Sequence, residues 1–256
     1  SPFLWILANS FRPASESFAS SILPQKWTFV AYSNVFTGGD LYTVNAMRTM
    51  LNSLYVATLS TLFSSVLAIS AAYGFSRFRF RGRSFLMAFL LNLRTFPSIL
   101  LAVALFSVAG KLGLYNKFIT LVLANAMLNL PFATWNNISI IDAVPIELDE
   151  SAFVDGLRRI PTLFRIILPV AAPGLAGTTA YTFILSWNEY LFATNFIASP
   201  EKQLVTTRIA SAVTQTHTDY GALMATAMLA SIPLIMLFLM IQRYIIAGLS
   251  MGSVKG

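Results

Sequence analysis

Long apolar stretches recur along the 256-residue chain, and they constrain its fold more than any other feature. Each is longer than the roughly 20 residues that cross a bilayer as a helix. They occupy residues 49–75, 85–109, 117–139, 170–197 and 220–246. The stretches are continuous rather than alternating at every second residue, which disfavours a membrane β-barrel. The sequence therefore predicts an all-α integral membrane protein.

Composition agrees with a lipid environment. Hydrophobic residues make up 56% of the chain and charged residues 11%, whereas soluble domains are about 45–50% apolar and about 25% charged. The mean hydropathy is +0.70, so a single soluble core would leave too much apolar surface in water. The chain has no cysteine, which excludes disulfides and thiolate metal sites.

The chain begins with a shorter apolar run over residues 1–9. No basic region precedes it, so it is not typical of a signal peptide. We interpret it as the outer end of a helix whose beginning lies upstream. With this truncated helix, we expect six transmembrane helices in a single transmembrane domain over residues 1–256.

Basic residues in short loops predict the orientation. The loop after the first full span carries Arg77, Arg79, Arg81 and Arg83, and the positive-inside rule places it in the cytoplasm. We interpret these arginines as topological anchors that extend toward lipid phosphates. The net charge of +7 is carried by such loops, so we expect no nucleic-acid partner.

Alternation across the spans then assigns the remaining loops to one side or the other. Residues 10–48, 110–116 and 198–219 are predicted outside, and residues 140–169 and 247–256 inside. In the outer segments we interpret Trp27 and Tyr32 as interface aromatics. His217 is the single histidine, and we expect it to be solvated.

The inner segment 140–169 contains helix signals of its own. Asp142 and Pro145 indicate the start of a helix, and Gly156 is placed to end it in a left-handed conformation. Pro161 then begins a second short helix that leads into the next span. The sequence therefore predicts a helix–turn–helix between two spans.

The first of these two helices has a surface suited to another protein. Acidic residues near its start are favoured by the helix dipole and disfavour contact with the anionic inner leaflet. The alternative is a helix that lies on lipid. The residues that give this helix its surface are acidic Glu147, Asp149, Glu150 and Asp155, apolar Ile146, Ala152 and Phe153, and small Ser151. We predict a docking helix.

This loop resembles a known motif. Residues 150–156 have the sequence E-S-A-F-V-D-G, and nine residues later residues 166–169 have I-I-L-P. The arrangement resembles the EAA loop of bacterial ABC-importer permeases, in which E-A-A-x-x-D-G is followed after nine residues by I-x-L-P. Ser151 replaces the first alanine, and serine is nearly as small.

Two further stretches narrow the resemblance. Residues 172–175 (A-P-G-L) with 183–192 (F-I-L-S-W-N-E-Y-L-F) are similar to the fifth helix of carbohydrate permeases of the MalG type. The ending over residues 242–256 resembles the terminus of that subgroup. The resemblance covers essentially the whole chain.

The resemblance implies the transmembrane subunit of an ATP-binding-cassette importer in a bacterial or archaeal cytoplasmic membrane, moving a sugar or oligosaccharide inward. The implied partners are a second, MalF-like permease subunit, two nucleotide-binding ATPase subunits, an extracytoplasmic solute-binding protein and membrane lipid. The chain has no G-x-x-x-x-G-K-[ST] motif. We therefore expect no cofactor or metal in it, and ATP and Mg in the partner ATPase subunits.

By position, the resemblance implies that Glu150 pairs with a basic residue of an ATPase subunit, and that Asp155 and Gly156 hold the turn. The expected coupling residues are Glu147, Glu150, Ser151, Ala152, Asp155, Gly156, Arg158 and Pro169. The tail over residues 247–256 resembles tails that reach the ATPase. Its expected contacts are Ser250, Gly252, Ser253 and Lys255.

Two charged residues lie well inside the apolar stretches. They are Arg94 in the second full span and Glu189 in the outer half of the fourth. A charge near the bilayer centre costs about 2.5–3.5 kcal/mol on insertion scales, so such groups face protein or a water-filled cavity. Structural pairing and a place in the sugar path both stay open, and Arg94 also allows an anionic substrate.

Amides in the spans are further path candidates, namely Asn92, Asn125, Asn129 and Asn188. Asn125 and Asn129 share one helix face. Amides donate to and accept from sugar hydroxyls, but they also join helices at about 0.6 kcal/mol per bond, and both interpretations stay open. Pro97 and Pro131 either loosen their helices or are tolerated bends.

Three other functions compete with sugar import. A secondary transporter needs coupling-ion sites and usually has internal repeats or helices broken at mid-depth, and no repeat is evident in the sequence. The same permease machinery serving glycerol phosphate or an acidic saccharide stays open. A membrane enzyme is disfavoured, because the spans have neither H-E-x-x-H nor a carboxylate cluster, and we expect no catalytic residue.

Overall fold

The computed structural model describes residues 2–13, 16, 21, 23–37, 45–93, 95–211 and 220–252, and every regular element in these ranges is helical. The α-helices are α1 (Pro2–Asn9), α2 (Val30–Thr37), α3 (Ala46–Arg77), α4 (Arg83–Leu93), α5 (Ser98–Lys111), α6 (Phe118–Asp142), α7 (Glu147–Val154), α8 (Arg159–Thr162), α9 (Leu168–Trp187), α10 (Leu191–Phe196), α11 (Val205–Ser211) and α12 (Tyr220–Gly252). A π-helical turn, Leu163–Ile167, joins α8 to α9.

Four helical stretches of the described chain are long and apolar enough to cross a membrane. They are α3, α6, the continuous helix Arg159–Trp187, and Leu223–Arg243 within α12. The pair α4 and α5 passes the same test together and gives a fifth candidate. The eight-residue α1 lies where the truncated first helix is predicted. The predicted all-α membrane fold is confirmed.

The second full span differs from its prediction. In place of one helix over residues 85–109, α4 and α5 meet at an angle of 95°. Pro97 lies in the break, lacks an N–H and disfavours the helical conformation of the preceding residue. The carbonyl of Asn92 accepts the backbone N–H of Thr95 at 3.0 Å and its hydroxyl at 2.8 Å. Pro131, in contrast, lies inside an unbroken α6.

The fourth full span also differs from its prediction. The helix ends at Trp187, ten residues before the predicted boundary at 197, and α10 begins separately. The Glu189 carboxylate accepts the backbone N–H groups of Phe192 at 2.6 Å and Ala193 at 3.0 Å. It thereby satisfies donors that the first turn of a helix leaves without partners. Glu189 therefore lies beyond the end of α9 and caps α10.

Other boundaries shift by smaller amounts. Asp142 is the last residue of α6 rather than the start of the loop helix. The α12 backbone stays helical to Gly252, so the first residues of the predicted tail continue this helix. The segments that are predicted outside contain two further short helices, α2 and α11. Trp27 and Tyr32 pack against Phe11 with ring centroids 5.9 and 5.2 Å apart, and His217 lies outside the described residues.

The chain divides into two compact units. The first comprises Ser1–Val56, Phe106–Leu121 and Trp187–Met236. Within it, the Asn116 side chain donates to the Ser199 hydroxyl at 2.6 Å and accepts the backbone N–H of Ser199 at 3.2 Å. Asn52 donates to the carbonyls of Glu201 and Gln203 at 3.0 and 2.9 Å. These bonds fix the segment that follows α10.

The second unit comprises Ala57–Leu105, Val122–Ser186 and Leu237–Gly256. Its core joins α3, α6, the π-helical turn and α9. The buried residues of this core are Ala72, Tyr73, Phe75, Ile138, Ile141, Val144, Leu163, Ile167, Ala171 and Leu175. The core lies directly beneath α7, because Leu148 of α7 packs against it.

Within the second unit, α9 approaches α6 closely at Gly174. A Cβ atom on Gly174 would lie 2.8 Å from Cγ2 of Ile140. We expect Gly174→Ala to destabilise the protein by about 1–3 kcal/mol, because overpacking forces the neighbouring side chain or backbone to move. Thermal unfolding in detergent measures the effect.

Gly177 provides a matched control in the same helix, since a Cβ there meets nothing within 4 Å. Gly177→Ala is expected to be neutral or to stabilise by up to about 1 kcal/mol, because alanine is the better helix former. Equal unfolding temperatures for the two variants would contradict the close approach at Gly174.

Candidate functional site

The short helix α7 ends in a glycine motif at the position that the sequence predicts. Gly156 has a φ of 79°, which a residue without Cβ adopts at little cost. Its backbone N–H donates to the carbonyl of Phe153 at 3.0 Å, and that of Leu157 donates to the carbonyl of Ala152 at 2.9 Å. This pair of bonds is a Schellman motif. It gives α7 a defined end and redirects the chain toward α8.

One face of α7 points away from the rest of the second unit. It is formed by Glu147, Glu150, Ser151 and Val154, which follow the i, i+3, i+4, i+7 spacing of a helix face. All four are exposed, and Val154 is 88% exposed. We refer to these four residues as the outer face of α7. It combines two carboxylates with an apolar side chain that nothing in the described chain covers.

The opposite face of α7 packs into the chain. Asp149 and Ala152 are each 3% exposed. Ala152, one of the expected coupling residues, has its side chain on this inner face rather than on the outer face. Its small size instead lets α7 lie close to the second unit. Among the other expected coupling residues, Asp155, Gly156, Arg158 and Pro169 are exposed.

Asp149 is held by two side chains from the end of α3. The Tyr73 hydroxyl donates to Asp149 Oδ1 at 2.9 Å, and Arg77 Nε donates to Asp149 Oδ2 at 3.0 Å. The side chains of Arg77 and Asp149 are 8% and 5% exposed. Buried charges of this kind persist only when they are paired and hydrogen-bonded. We call Tyr73, Arg77 and Asp149 the clasp.

Arg77 also links α7 to the end of α6. Its Nη2 donates to the carbonyl of Val144 at 2.7 Å, and its Nη1 donates to the Ser76 hydroxyl at 3.2 Å. The Ser76 hydroxyl in turn donates to the Asp142 carboxylate. The prediction that Arg77 is an exposed topological anchor is wrong, because its side chain is buried and paired with Asp149. Arg79 and Arg81 are exposed, as that interpretation requires.

A second cation lies at the start of α8. The Arg159 guanidinium lies 4.4 Å from the ring centroid of Phe78 and 5.8 Å from that of Phe153. Such cation–π contacts stabilise by about 0.5–1 kcal/mol at exposed sites. The end of α3, the end of α7 and the start of α8 are therefore in mutual contact.

The sequence did not predict the clasp, although it shows the charged residues that form it. Asp149 and Glu150 are adjacent acids at the start of one helix, and both were assigned to the helix dipole. Asp149 lies three residues before Ala152, and residues three apart share a helix face. Knowing that Ala152 faces inward would have identified Asp149 as the buried acid in need of a cation.

The structure brings two of the path candidates together. Asn125 and Asn129 lie on one buried face of α6. The Asn129 amide donates to the Ser186 hydroxyl at 2.9 Å, which joins α6 to α9 within the second unit. Asn92 is exposed and donates to the carbonyl of Ala88 at 2.7 Å, so it is not part of this group. Asn129 thus takes part in a helix–helix contact.

The remaining path candidates lie elsewhere. Asn188 is exposed and follows the end of α9, and Glu189 caps α10 through backbone bonds. Arg94 lies outside the described residues, as do Ser253 and Lys255 of the tail. Ser250 and Gly252 fall within the helical backbone of α12.

An open recess lies beside the break between α4 and α5. Its lining is Leu93, Phe96, Ser98, Leu101, Met127, Leu128 and Pro131. This set offers one hydroxyl and otherwise apolar groups, which is a poor match for a sugar rich in hydroxyls. Within the part of the chain that the structure describes, no group of three or more His, Asp or Glu is arranged to hold a metal ion.

Residues 64–251 match a family described as "Binding-protein-dependent transport system inner membrane component". The chain belongs to this family. Its members are transport components of the inner membrane, so this chain is a multi-pass membrane permease component and not an enzyme. The match includes α7, the clasp and the predicted EAA loop.

Curated relatives of this permease cover its whole length. It is 33% identical to "Inner membrane ABC transporter permease protein YcjP" of Escherichia coli (strain K12), over 100% of this chain and 91% of the relative. It is 34% identical to "Trehalose/maltose transport system permease protein MalG" of Thermococcus litoralis, with the same coverage. The resemblance to carbohydrate ABC-importer permeases is therefore confirmed.

Solved structures show the same fold. A chain of a bacterial ABC transporter involved in import of the acidic polysaccharide alginate matches 95% of this permease and 89% of its own length, with a TM-score of 0.79 and 21% identity. A chain of the inward-facing MetNI methionine ABC transporter matches 78% of this permease and 94% of its own length, with a TM-score of 0.64 and 16% identity.

Proposed function

We propose that this permease is the transmembrane subunit of an ATP-driven importer of a sugar or oligosaccharide, and that α7 couples it to a separate ATPase subunit. The sugar class is supported by the names of relatives. One is 34% identical and named for trehalose and maltose. Another, from Mycobacterium tuberculosis, is 32% identical and named for trehalose.

The observation that carries the proposal is the outer face of α7. Two carboxylates and an 88% exposed valine lie on one face of a short helix whose other face is buried. Such a surface suits a protein groove that has an apolar floor and a basic rim. Lipid is a poorer partner, because the inner leaflet is anionic.

The resemblance to ABC-importer permeases implies the mechanism that this contact would serve. The partner ATPase subunits would hold ATP and Mg and close together, and α7 would move with the subunit that holds it. The spans of this permease and of a second permease subunit then change from inward-open to outward-open. An external binding protein releases its sugar into the cavity, and hydrolysis resets the pair.

The residues proposed for coupling are those of the EAA loop and the tail. Glu150 and Glu147 pair with basic groups of the ATPase, Ser151 allows close approach, and Gly156 holds the end of α7. Exposed Asp155, Arg158 and Pro169 complete the loop surface, and Ser250, Gly252, Ser253 and Lys255 form the tail contact. Asn125, Asn129 and Asn188 are the amides proposed to lie along the sugar path.

A second candidate is an anionic saccharide. A relative of Agrobacterium fabrum, 28% identical over all of this chain, is named for sulfoquinovosyl glycerol, a sugar that carries a sulfonate. Arg94 in the second apolar stretch is a cation of the kind that such a substrate requires. Its interaction with a sulfonate or phosphate would be a charge-assisted hydrogen bond.

The test is to purify the permease with the proteins that associate with it, reconstitute the complex in liposomes, and measure ATP hydrolysis with loaded binding protein. We expect neutral disaccharides to stimulate hydrolysis at least about fivefold. Stimulation only by sulfonated or phosphorylated sugars would select the anionic candidate. Uptake by the permease alone, driven by an ion gradient, would instead identify a secondary transporter.

A further inference from the structure

The clasp contains a buried ion pair at a place where apolar side chains could stabilise the fold equally well. Removing two charges from water is costly, and a buried pair is commonly no more stabilising than apolar residues of similar volume. Its distinguishing property is direction, because hydrogen bonds weaken steeply when their angles change. Apolar contacts depend mainly on area and tolerate sliding. The clasp therefore fixes orientation more than it adds stability.

The clasp is placed where a fixed orientation of α7 matters for coupling. It lies on the inner face of α7, opposite Glu147, Glu150, Ser151 and Val154 of the outer face. A partner that grips the outer face applies its force on one side of the helix, and the clasp resists on the other. Without directional bonds, α7 is free to roll or slide over the apolar core beneath it.

We propose that Tyr73, Arg77 and Asp149 are positioning residues that transmit the displacement of α7 to α3. This proposal rests on the proposed function, because it assumes that an ATPase subunit moves α7. The helix that receives the displacement is continuous over 32 residues, Ala46–Arg77. Through Val144, Arg77 passes the same displacement to the end of α6. Through the clasp, the displacement of α7 reaches both α3 and α6.

The first test is the substitution Asp149→Asn in the complete transporter. The change keeps the size of the side chain but removes the charge that Arg77 requires. We expect the sugar transported per ATP hydrolysed to fall about fivefold or more. The ATPase subunits should still co-purify, since the outer face is unchanged. Glu201→Gln, the same loss of charge at an exposed carboxylate that has no bond to the clasp, is expected to keep the ratio within about twofold.

Two milder variants keep the proposal testable if Asp149→Asn fails to fold. Tyr73→Phe removes one hydroxyl, and Arg77→Lys keeps the charge but cannot reproduce the bonds to both Asp149 and Val144. Each is expected to lower the transport ratio by about twofold or more. The double variant Arg77→Asp with Asp149→Arg restores opposite charges and should recover part of the ratio. Thermal unfolding of the same variants separates a structural loss, in which the unfolding temperature falls together with the ratio, from a positioning loss, in which the ratio falls at an unchanged unfolding temperature.

The outcomes separate this proposal from the proposed function. If the wild-type complex couples ATP to sugar and all clasp variants couple equally well, the clasp proposal fails and the proposed function stands. If the variants lose the ATPase subunits on purification, the clasp serves only to fold α7, and the proposal also fails. If the wild-type permease never associates with an ATPase, the proposed function fails first.

Discussion

Sugar uptake by the assembled transporter is expected to fall about tenfold or more when Glu150 is replaced by arginine. Glu150 is an exposed residue of the outer face, and reversing its charge places a cation against the basic group proposed to bind it. Because loss of a buried charge pair across an interface costs about 2–5 kcal/mol, docking itself should weaken. Uptake into proteoliposomes and co-purification of the ATPase measure the two effects.

The stability of the permease should change by less than about 0.5 kcal/mol in this variant, since Glu150 is exposed. Glu201→Arg makes the same change of net charge at an exposed residue of the segment after α10, Pro200–Lys202. It is expected to leave ATPase co-purification at the wild-type level. Normal uptake and normal co-purification in Glu150→Arg would refute the docking role of α7.

The second large effect is expected at Gly156. Its φ of 79° lies in the left-handed region, which costs a residue with a Cβ roughly 1–2 kcal/mol and a β-branched residue more. In Gly156→Val we expect the end of α7 to unwind, because the Schellman bonds depend on this conformation. Sugar uptake should then fall about tenfold, since the outer face loses its defined position.

The structure offers a closely matched control at the end of α5. Gly113 has a φ of 64° and the same two bonds, from Leu114 to Ala109 at 2.8 Å and from Gly113 to Gly110 at 3.2 Å. At both glycines an added Cβ would meet no neighbour within 4 Å, so both valine variants impose the same backbone strain without a clash at Cβ.

Gly113→Val is expected to lose similar stability but to retain ATPase co-purification, because it lies outside the EAA loop. Gly156→Asn should restore most of the uptake, since asparagine tolerates the left-handed conformation. Equal loss of co-purification in the two valine variants would show that general destabilisation, rather than the end of α7, is responsible.

Much of the architecture was predictable because the bilayer imposes a length on each span. Residues 49–75 and 117–139 appear as α3 and α6 with boundaries shifted by only a few residues. The break at Pro97 was harder to predict, because Pro131 presents the same local signal inside an unbroken helix. Whether a proline breaks a helix depends on the neighbours that satisfy the freed backbone groups.

The candidate site was predictable in part for a similar reason. Gly156 was assigned correctly, because a left-handed helix end is a local property of glycine. The roles of Asp149 and Arg77 were not, since adjacent acids in one turn look alike until the inner face of α7 is known. Glu189 was assigned to a span because an apolar stretch hides the end of one helix and the start of the next. Tertiary packing decides these cases.

The continuous helix from Arg159 to Trp187 is longer than the hydrocarbon core of a bilayer. Its 29 residues extend over about 43 Å at 1.5 Å per residue, whereas the hydrocarbon core is about 30 Å thick. A helix with little tilt therefore projects about 13 Å beyond the lipid tails. Because this stretch is helical throughout, a displacement at its Arg159 end is expected to tilt the span rather than bend a loop.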